Sequence, residues 1–125
     1  MLRVLLFIGA GSFAGGVARY VLSHTVQTGV TSGFPWGTMV VNVFGCFVIG
    51  LLNALFEHGH VMNTDLRMFL TTGFCGGFTT FSTFMQENST LLSDGRFVHF
   101  SLYSILSFAL GLFAAFAGQF VVKAV

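Results

Sequence analysis

One stretch near the centre of the chain decides its fold: Thr71-Thr72-Gly73-Phe74-Cys75-Gly76-Gly77-Phe78-Thr79-Thr80-Phe81-Ser82-Thr83-Phe84. Three glycines and five threonines interrupt a segment that is otherwise apolar. A lipid-facing helix gains nothing from this composition, because glycine costs about 1 kcal/mol relative to alanine inside a helix. The pair Gly76-Gly77 therefore predicts a helix break, and broken backbone at membrane depth is tolerated only beside protein or a water-filled cavity.

The carbonyl groups that such a break frees must find partners. A small cation is one partner that would satisfy them. A glycine kink whose free carbonyls accept hydrogen bonds from neighbouring threonine hydroxyls is the other interpretation. The residues alone leave both open.

The composition of the whole chain indicates a membrane protein. Of its 125 residues, 54% are hydrophobic and 7% are charged, whereas soluble domains carry about 25% charged residues. So short a chain has too little interior to bury this much apolar surface, so we expect a lipid bilayer around it. The net charge of +1 argues against a nucleic-acid partner. Cys46 and Cys75 lie in apolar runs and are expected to be free thiols.

Four stretches are long enough to span a bilayer, which takes about 20 mostly apolar residues. They are predicted at Leu2–His24, Trp36–Phe56, Leu66–Leu92 and Phe97–Val122, with connections at Thr25–Pro35, Glu57–Asp65 and Ser93–Arg96. Residues 1–125 are therefore predicted to form one all-α domain of four transmembrane helices, with the third helix broken near its middle.

The basic residues give only a weak preference for one orientation. With four spans, Arg3, Arg67 and Lys123 fall on one side of the membrane, and Arg19 and Arg96 lie near the other. Lysine and arginine favour the cytoplasmic side. This division fits insertion in both orientations with head-to-tail pairing, and it equally fits a single orientation fixed by another determinant.

Small and charged residues in span one predict its contacts. Gly11 with Gly15, and Ser12 with Gly16, are spaced four apart and are expected to let a neighbouring helix approach closely. Arg19 lies near the end of the span, where its side chain is expected to reach the interface or an aqueous vestibule.

Polar residues recur at helical spacing in spans two and four. Thr38 and Asn42 share a face of span two, and Tyr103 and Ser107 share a face of span four. Hydroxyls and amides in this pattern serve either hydrogen bonds between helices or a path for water and ions. Spacing does not distinguish these two roles.

Two phenylalanines, Phe81 and Phe84, follow the predicted break. The edge of a phenyl ring carries partial positive charge, so edges turned toward a pore would hold an anion, although ordinary packing is the alternative for a chain with 17 phenylalanines. The membrane interior holds amides, hydroxyls and aromatic edges without a deep fixed cation. That combination favours a pore for a small, strongly hydrated anion.

The run Gly73–Phe84 closely resembles the signature of the Fluc (CrcB) fluoride channel family. Gly37-Thr38 with Asn42 and Gly45 resembles the family too, as does the run Gly15-Gly16-Val17-Ala18-Arg19-Tyr20, and the likeness covers the whole chain. The resemblance implies passive fluoride export across the cytoplasmic (inner) membrane. It also implies an antiparallel, dual-topology homodimer with two fluoride pathways along its interface.

The resemblance further implies roles for individual residues. The backbone carbonyls of Gly76 and Thr79 would hold a central structural sodium ion that is not transported. Arg19 would line a vestibule. A serine often continues the polar track of span four, but Gly111 stands there in this chain. The residues implied for the fluoride pathway are Asn42, Phe81, Phe84, Tyr103, Ser107, Thr38, Ser82 and Thr83.

Two other functions compete with a fluoride channel. A small dual-topology multidrug-type transporter would use a glutamate in its first span, and span one has no acidic residue. A non-transporting membrane subunit would use the glycines and polar residues for assembly alone. An enzyme is not expected, because no nucleophile and base form a recognisable motif, and His58 and His60 offer at most a weak metal site in a loop.

Overall fold

The computed structural model describes residues 1–31, 33–57 and 63–124, and every regular element within them is helical. Three of the helices are long and apolar enough to cross a membrane: α1, α2 and α6. The elements are, in chain order, α1 (Leu2–Thr28), α2 (Trp36–Glu57), α3 (Thr64–Met68), a π-helical segment (Phe69–Cys75), α4 (Gly76–Phe78), α5 (Phe81–Ser93) and α6 (Phe97–Ala124). His58 and His60 lie outside the described residues.

The region predicted as the third span consists of several short segments. Its π-helical part, Phe69–Cys75, is seven residues long, and π-helical turns are rare and concentrate at functional sites. Thr79 and Thr80, between α4 and α5, have extended backbone, with ψ angles of 154° and 120°. The Thr79 N–H still donates to the Cys75 carbonyl at 3.0 Å, but the helix ends at Phe78 and the next helix begins at Phe81.

The predicted position of the break, Gly76-Gly77, is wrong. Gly76 is helical, with φ of −63° and ψ of −37°, and the interruption falls at Thr79 and Thr80. Position 77 requires a glycine because α1 packs directly against it. A Cβ atom there would lie 2.6 Å from the backbone oxygen of Ser12, closer than side-chain atoms approach in proteins.

Small residues bring α1 against the π-helical segment and α4, as the spacing of Gly11 and Gly15 predicted. A Cβ atom on Gly11 would collide with the carbonyl of Phe69, and one on Gly15 with the carbonyl of Phe74. The prediction for Gly16 is wrong within the subunit, because no atom lies within 4 Å of its Cβ direction. Such close backbone contact is what stabilises helix pairs in lipid.

Helices α2 and α6 pack together in the same way. A Cβ atom on Gly50 would collide with the carbonyl of Ala115, and one on Gly118 with the carbonyl of Phe47. At the end of this pair, a buried core contains Phe34, Met39 and Leu91 together with Tyr103, which is 0% exposed. This core fixes α5 against α6 and so positions the residues that follow the interruption.

Candidate functional site

Asn42, on α2, holds the interruption in place. Its Nδ2 donates to the carbonyl of Thr80 at 3.1 Å, and its Oδ1 accepts from the Thr80 N–H at 2.8 Å. Backbone N–H and C=O groups that are outside regular structure and away from water must find other hydrogen-bond partners. The amide supplies both partners for Thr80, much as a neighbouring strand would.

Thr80 in turn begins α5. Its Oγ1 accepts from the Thr83 N–H at 3.2 Å and donates to the Thr83 hydroxyl at 3.1 Å. Its backbone is extended, with φ of −147°, as expected of a residue that caps a helix N-terminus. Such a cap is worth about 1 kcal/mol, so Thr80 stabilises α5 as well as ending α4.

The two diverted N–H groups leave two carbonyls without their helical donors. In a continuous helix the Thr80 N–H would donate to Gly76 and the Thr83 N–H to Thr79. Here they donate to Asn42 and to the Thr80 hydroxyl. The carbonyls that lose helical donors at this interruption include those of Gly76 and Thr79, the pair that the resemblance implies for sodium.

Backbone carbonyls are oxygen ligands of the kind that a small hard cation takes. Carbonyl oxygens of unwound helices are the ligands that coordinate sodium in membrane proteins. Among residues 1–31, 33–57 and 63–124 no cluster of three or more His, Cys, Asp or Glu side chains could hold a metal ion. A cation at the interruption would therefore depend on backbone oxygen.

A groove of about 990 Å³ runs along the interruption between α2, α5 and α6. None of its described lining residues carries a formal charge. The residues predicted for the site that line it are Asn42, Gly76, Thr79, Phe81, Phe84 and Ser107. The structure thus brings the amide, the freed carbonyls, the aromatic pair and one hydroxyl to a single surface.

The two phenylalanines differ in how firmly they are held. Phe81 is 72% exposed, and its ring centroid lies 6.1 Å from that of Phe84. Phe84 packs against Tyr103, with ring centroids 4.9 Å apart. Phe84 is therefore anchored in the core, whereas Phe81 stands free on the rim of the groove.

Tyr103 and Thr38 lie behind the groove and do not line it. Tyr103 is fully buried and donates its hydroxyl to Glu87 Oε1 at 2.9 Å. Thr38, which is 6% exposed, lies near the same hydroxyl. In the single chain these two residues support the aromatic wall.

The remaining predicted residues surround the interruption without lining the groove. Ser82 is exposed, with its Oγ 3.4 Å from Thr80 Oγ1, and Thr83 belongs to the cap of α5. Arg19 donates its Nε to the carbonyl of Gly77 at 3.4 Å. That contact places a cation at the C-terminal end of α4, where helix carbonyls favour positive charge.

The groove is also lined by polar residues that were not predicted for the site, among them Thr80, Asn88 and Ser104. Threonine is a favoured residue type at a helix N-cap, and this preference is the signal that would have indicated Thr80. Ser104 is next to Tyr103 and off the four-residue spacing. No spacing or motif distinguishes Asn88, and only the packing of α5 on α6 brings it to the groove.

Known proteins resemble this chain over nearly its whole length. The family described as "CrcB-like protein, Camphor Resistance (CrcB)" matches residues 6–119. A protein of Prosthecochloris aestuarii named "Fluoride-specific ion channel FluC" is 46% identical over 115 residues, which cover 92% of this chain and 89% of that protein. Proteins of the same name from Chlorobaculum tepidum and Phocaeicola vulgatus are each 44% identical, covering 98% and 92% of this chain and 97% and 93% of those proteins.

Proposed function

This chain belongs to the CrcB family, and on that basis we propose that it is a fluoride-selective channel that exports fluoride passively across the cytoplasmic membrane. With three long apolar helices, it is a multi-pass membrane protein. The observation that carries the proposal is the uncharged groove, in which an amide, hydroxyls and a free aromatic edge converge at a helix interruption.

Conduction requires donors that replace water around fluoride without trapping it. The Asn42 amide has two N–H groups, and Thr80 uses one of them. Ser107 Oγ is buried without a partner among the described residues. Several weak donors of this kind lower the cost of dehydration, and the absence of charged side chains on the described lining leaves the ion free to move on.

The aromatic pair would contribute to selectivity. Ring edges offer weak positive potential over a short range, which suits a small anion more than a large one. Phe81 stands free enough to turn its edge toward the ion, while Phe84 is held by Tyr103. We therefore assign Phe81 the mobile contact and Phe84 the fixed one.

A structural sodium ion is part of the proposal. Gly76 and Thr79 would hold it through the carbonyls that lose their helical donors, and it would supply fixed positive charge at the interruption without being transported. Gly76 is exposed in the single chain, so its carbonyl is open to further ligands from a second subunit. Thr79 is also steadied by its own hydroxyl, which donates to the Cys75 carbonyl at 2.9 Å.

We propose further that the channel is an antiparallel homodimer with a pathway along each groove. A lone subunit would turn the freed carbonyls and the polar groove toward lipid, where unsatisfied backbone groups cost several kcal/mol each. A second copy placed over the groove would remove that cost. The nearly even distribution of basic residues between the two sides is compatible with insertion in both orientations.

Residues Thr64–Ser93 would together cross the membrane once, as the third crossing in chain order, in addition to α1, α2 and α6. Thirty residues at helical rise extend about 45 Å, which exceeds the hydrocarbon thickness of about 30 Å. The interruption at Thr79 and Thr80 falls near the middle of this length. Both orientations of the chain would then bring their interruptions to the same depth, as a shared central ion requires.

Fluoride release from liposomes tests the proposed function. The purified chain is reconstituted with fluoride inside, a potassium ionophore balances the charge, and an electrode follows the fluoride that emerges. We expect rapid fluoride efflux that empty liposomes lack. Uptake of an organic cation driven by a proton gradient, without fluoride efflux, would favour a multidrug-type transporter instead.

A further inference from the structure

Two buried polar atoms on the groove wall have no hydrogen-bond partner among the described residues: Asn88 Nδ2 and Ser107 Oγ. Ser107 already belongs to the proposed pathway, but Asn88 does not. Asn88 lies on α5, is only 4% exposed and lines the same groove. A buried amide with unused donors therefore stands beside a surface that we assign to an anion.

The oxygen of the Asn88 amide is held by a residue of α6. Ser104 Oγ donates to Asn88 Oδ1 at 3.3 Å, which leaves both N–H groups of Nδ2 without an acceptor. The oxygen and nitrogen of an amide are assigned from their hydrogen bonds. If the amide is turned over, Nδ2 donates to Ser104 and the serine proton is left over instead. The buried amide atom without a partner would then be Oδ1, which does not bind an anion, so the inference uses the orientation in which Oδ1 accepts from Ser104 and Nδ2 has no partner in the described part of the chain.

The protein offers little to satisfy that donor. No carboxylate is found among the described residues that line the groove. Glu87 precedes Asn88 in sequence, but it accepts from Tyr103 on the core side of α5. A buried donor without an acceptor is unfavourable, and an anion in the groove is an acceptor of the right size and charge.

We propose that Asn88, oriented by Ser104, is a further fluoride-binding residue and forms with Ser107 a site beyond Asn42 and Phe81. This inference rests on the proposed fluoride pathway. Asn88 follows Phe81 by seven residues, or about 10 Å along α5. The pathway therefore continues past the aromatic pair, with an amide from α5 and hydroxyls from α6 as its donors.

Variants of this pair separate a binding role from a packing role. Asn88→Leu keeps the branched shape and the number of heavy atoms of the side chain and removes the donors, and Ser104→Ala removes only the group that orients them. Ser101→Ala is the control, because Ser101 is exposed on α6 and does not line the groove. We expect efflux to fall about tenfold in Asn88→Leu, as loss of a hydrogen bond to an ion predicts. Ser104→Ala should fall less, and Ser101→Ala should match the wild type.

The efflux results distinguish the proposed role of Asn88 from the proposed channel function. If the wild type conducts fluoride and Asn88→Leu conducts equally well, the inference is overturned and the proposed function stands. If the wild type itself releases no fluoride, the proposed function fails and the inference fails with it.

A measurement on the wild-type protein covers the case in which Asn88→Leu does not fold. Glu87-Asn88 is the only Glu-Asn pair in the sequence, so carbonyl-¹³C glutamate with ¹³C,¹⁵N-asparagine labelling identifies the Asn88 backbone amide by NMR. Correlations through the carbons of the same residue then assign its side-chain N–H groups. We expect its side-chain N–H resonances to shift with sodium fluoride and not with sodium chloride. Resonances that respond to neither salt would mean that the amide only joins α5 to α6.

Discussion

Asn42 on α2 and Thr80 between α4 and α5 exchange two hydrogen bonds, of 3.1 Å and 2.8 Å. The amide thereby takes over the hydrogen bonding that a continuous helix would have provided at Thr80. It also joins two walls of the groove, since both residues line it. One side chain thus holds the interruption open and keeps an N–H group for an ion.

Replacing Asn42 by aspartate should impair conduction. Asn42→Asp loses the donor to the Thr80 carbonyl and places negative charge in the groove. We expect fluoride efflux to fall by about tenfold or more, because hydrogen bonds to charged groups are worth about 1.5–3 kcal/mol. Asn53→Asp is the matched control, since Asn53 is exposed on the same helix. Equal efflux from both variants would remove Asn42 from the pathway.

The two phenylalanines should respond differently to the same change. Phe81→Ile should reduce fluoride efflux but lower the melting temperature less than Phe84→Ile does, because Phe81 is 72% exposed in the single chain. Phe84→Ile should reduce both, because it loses the contact with Tyr103. Phe113→Ile, at a phenylalanine on α6 that is 72% exposed, serves as the control. A Phe81→Ile variant that conducts like Phe113→Ile would show that ring edges play no part.

Glycines of α1 should divide into packed and unpacked positions. Gly15→Ala would drive a methyl group into the Phe74 carbonyl, whereas Gly16→Ala meets no atom within 4 Å. Overpacking of this kind costs about 1–3 kcal/mol, so thermal unfolding in detergent should occur at lower temperature for Gly15→Ala alone. If Gly16→Ala proved equally destabilising, Gly16 would belong to an interface with another chain.

Gly111 on α6 stands where the family often has a serine, and a substitution can restore that hydroxyl. A Cβ atom on Gly111 would lie 3.4 Å from Cys46 Sγ, a contact that a small thiol shift relieves, whereas one on Gly118 would collide with the Phe47 backbone. Gly111→Ser should therefore assemble normally and conduct fluoride at least as fast as the wild type. Gly118→Ser should fail to assemble. Size-exclusion chromatography followed by liposome efflux measures both, and failure of Gly111→Ser to assemble would contradict the packing.

Sodium should stabilise the protein specifically. A ligand that binds the folded state stabilises it by RT ln(1 + [L]/Kd), so the melting temperature should rise with sodium concentration and not with potassium. Preparation in a large organic cation provides the reference state. A melting temperature indifferent to sodium would argue that threonine hydroxyls and water satisfy the carbonyls of Gly76 and Thr79.

The length of the apolar stretches and the spacing of glycines made much of the fold predictable from the sequence. Apolar length predicted α1, α2 and α6 within a few residues, and the spacing of Gly11 and Gly15 predicted the close approach of α1. The position of the interruption was not predictable from glycine content, because Gly77 serves packing while Thr79 and Thr80 leave the helix. What decides that position is a hydrogen bond from another helix, which local propensity does not contain.

The candidate site was also only partly predictable from the sequence. Asn42, Phe81 and Ser107 lie on the groove because helical spacing places them on one face of their helices. Tyr103 shares the spacing of Ser107 but lies in the core, since the packing of α5 on α6 covers it. Asn88 reaches the groove through that same packing, and nothing in its sequence neighbourhood indicates it.

Ion selectivity tests the central claim most directly. The purified protein is placed in a planar bilayer with sodium fluoride on one side and sodium chloride on the other, and the reversal potential is measured. An uncharged groove of amide, hydroxyl and aromatic donors predicts a reversal potential set by fluoride alone. A potential that follows chloride, or no current at all, would contradict the account.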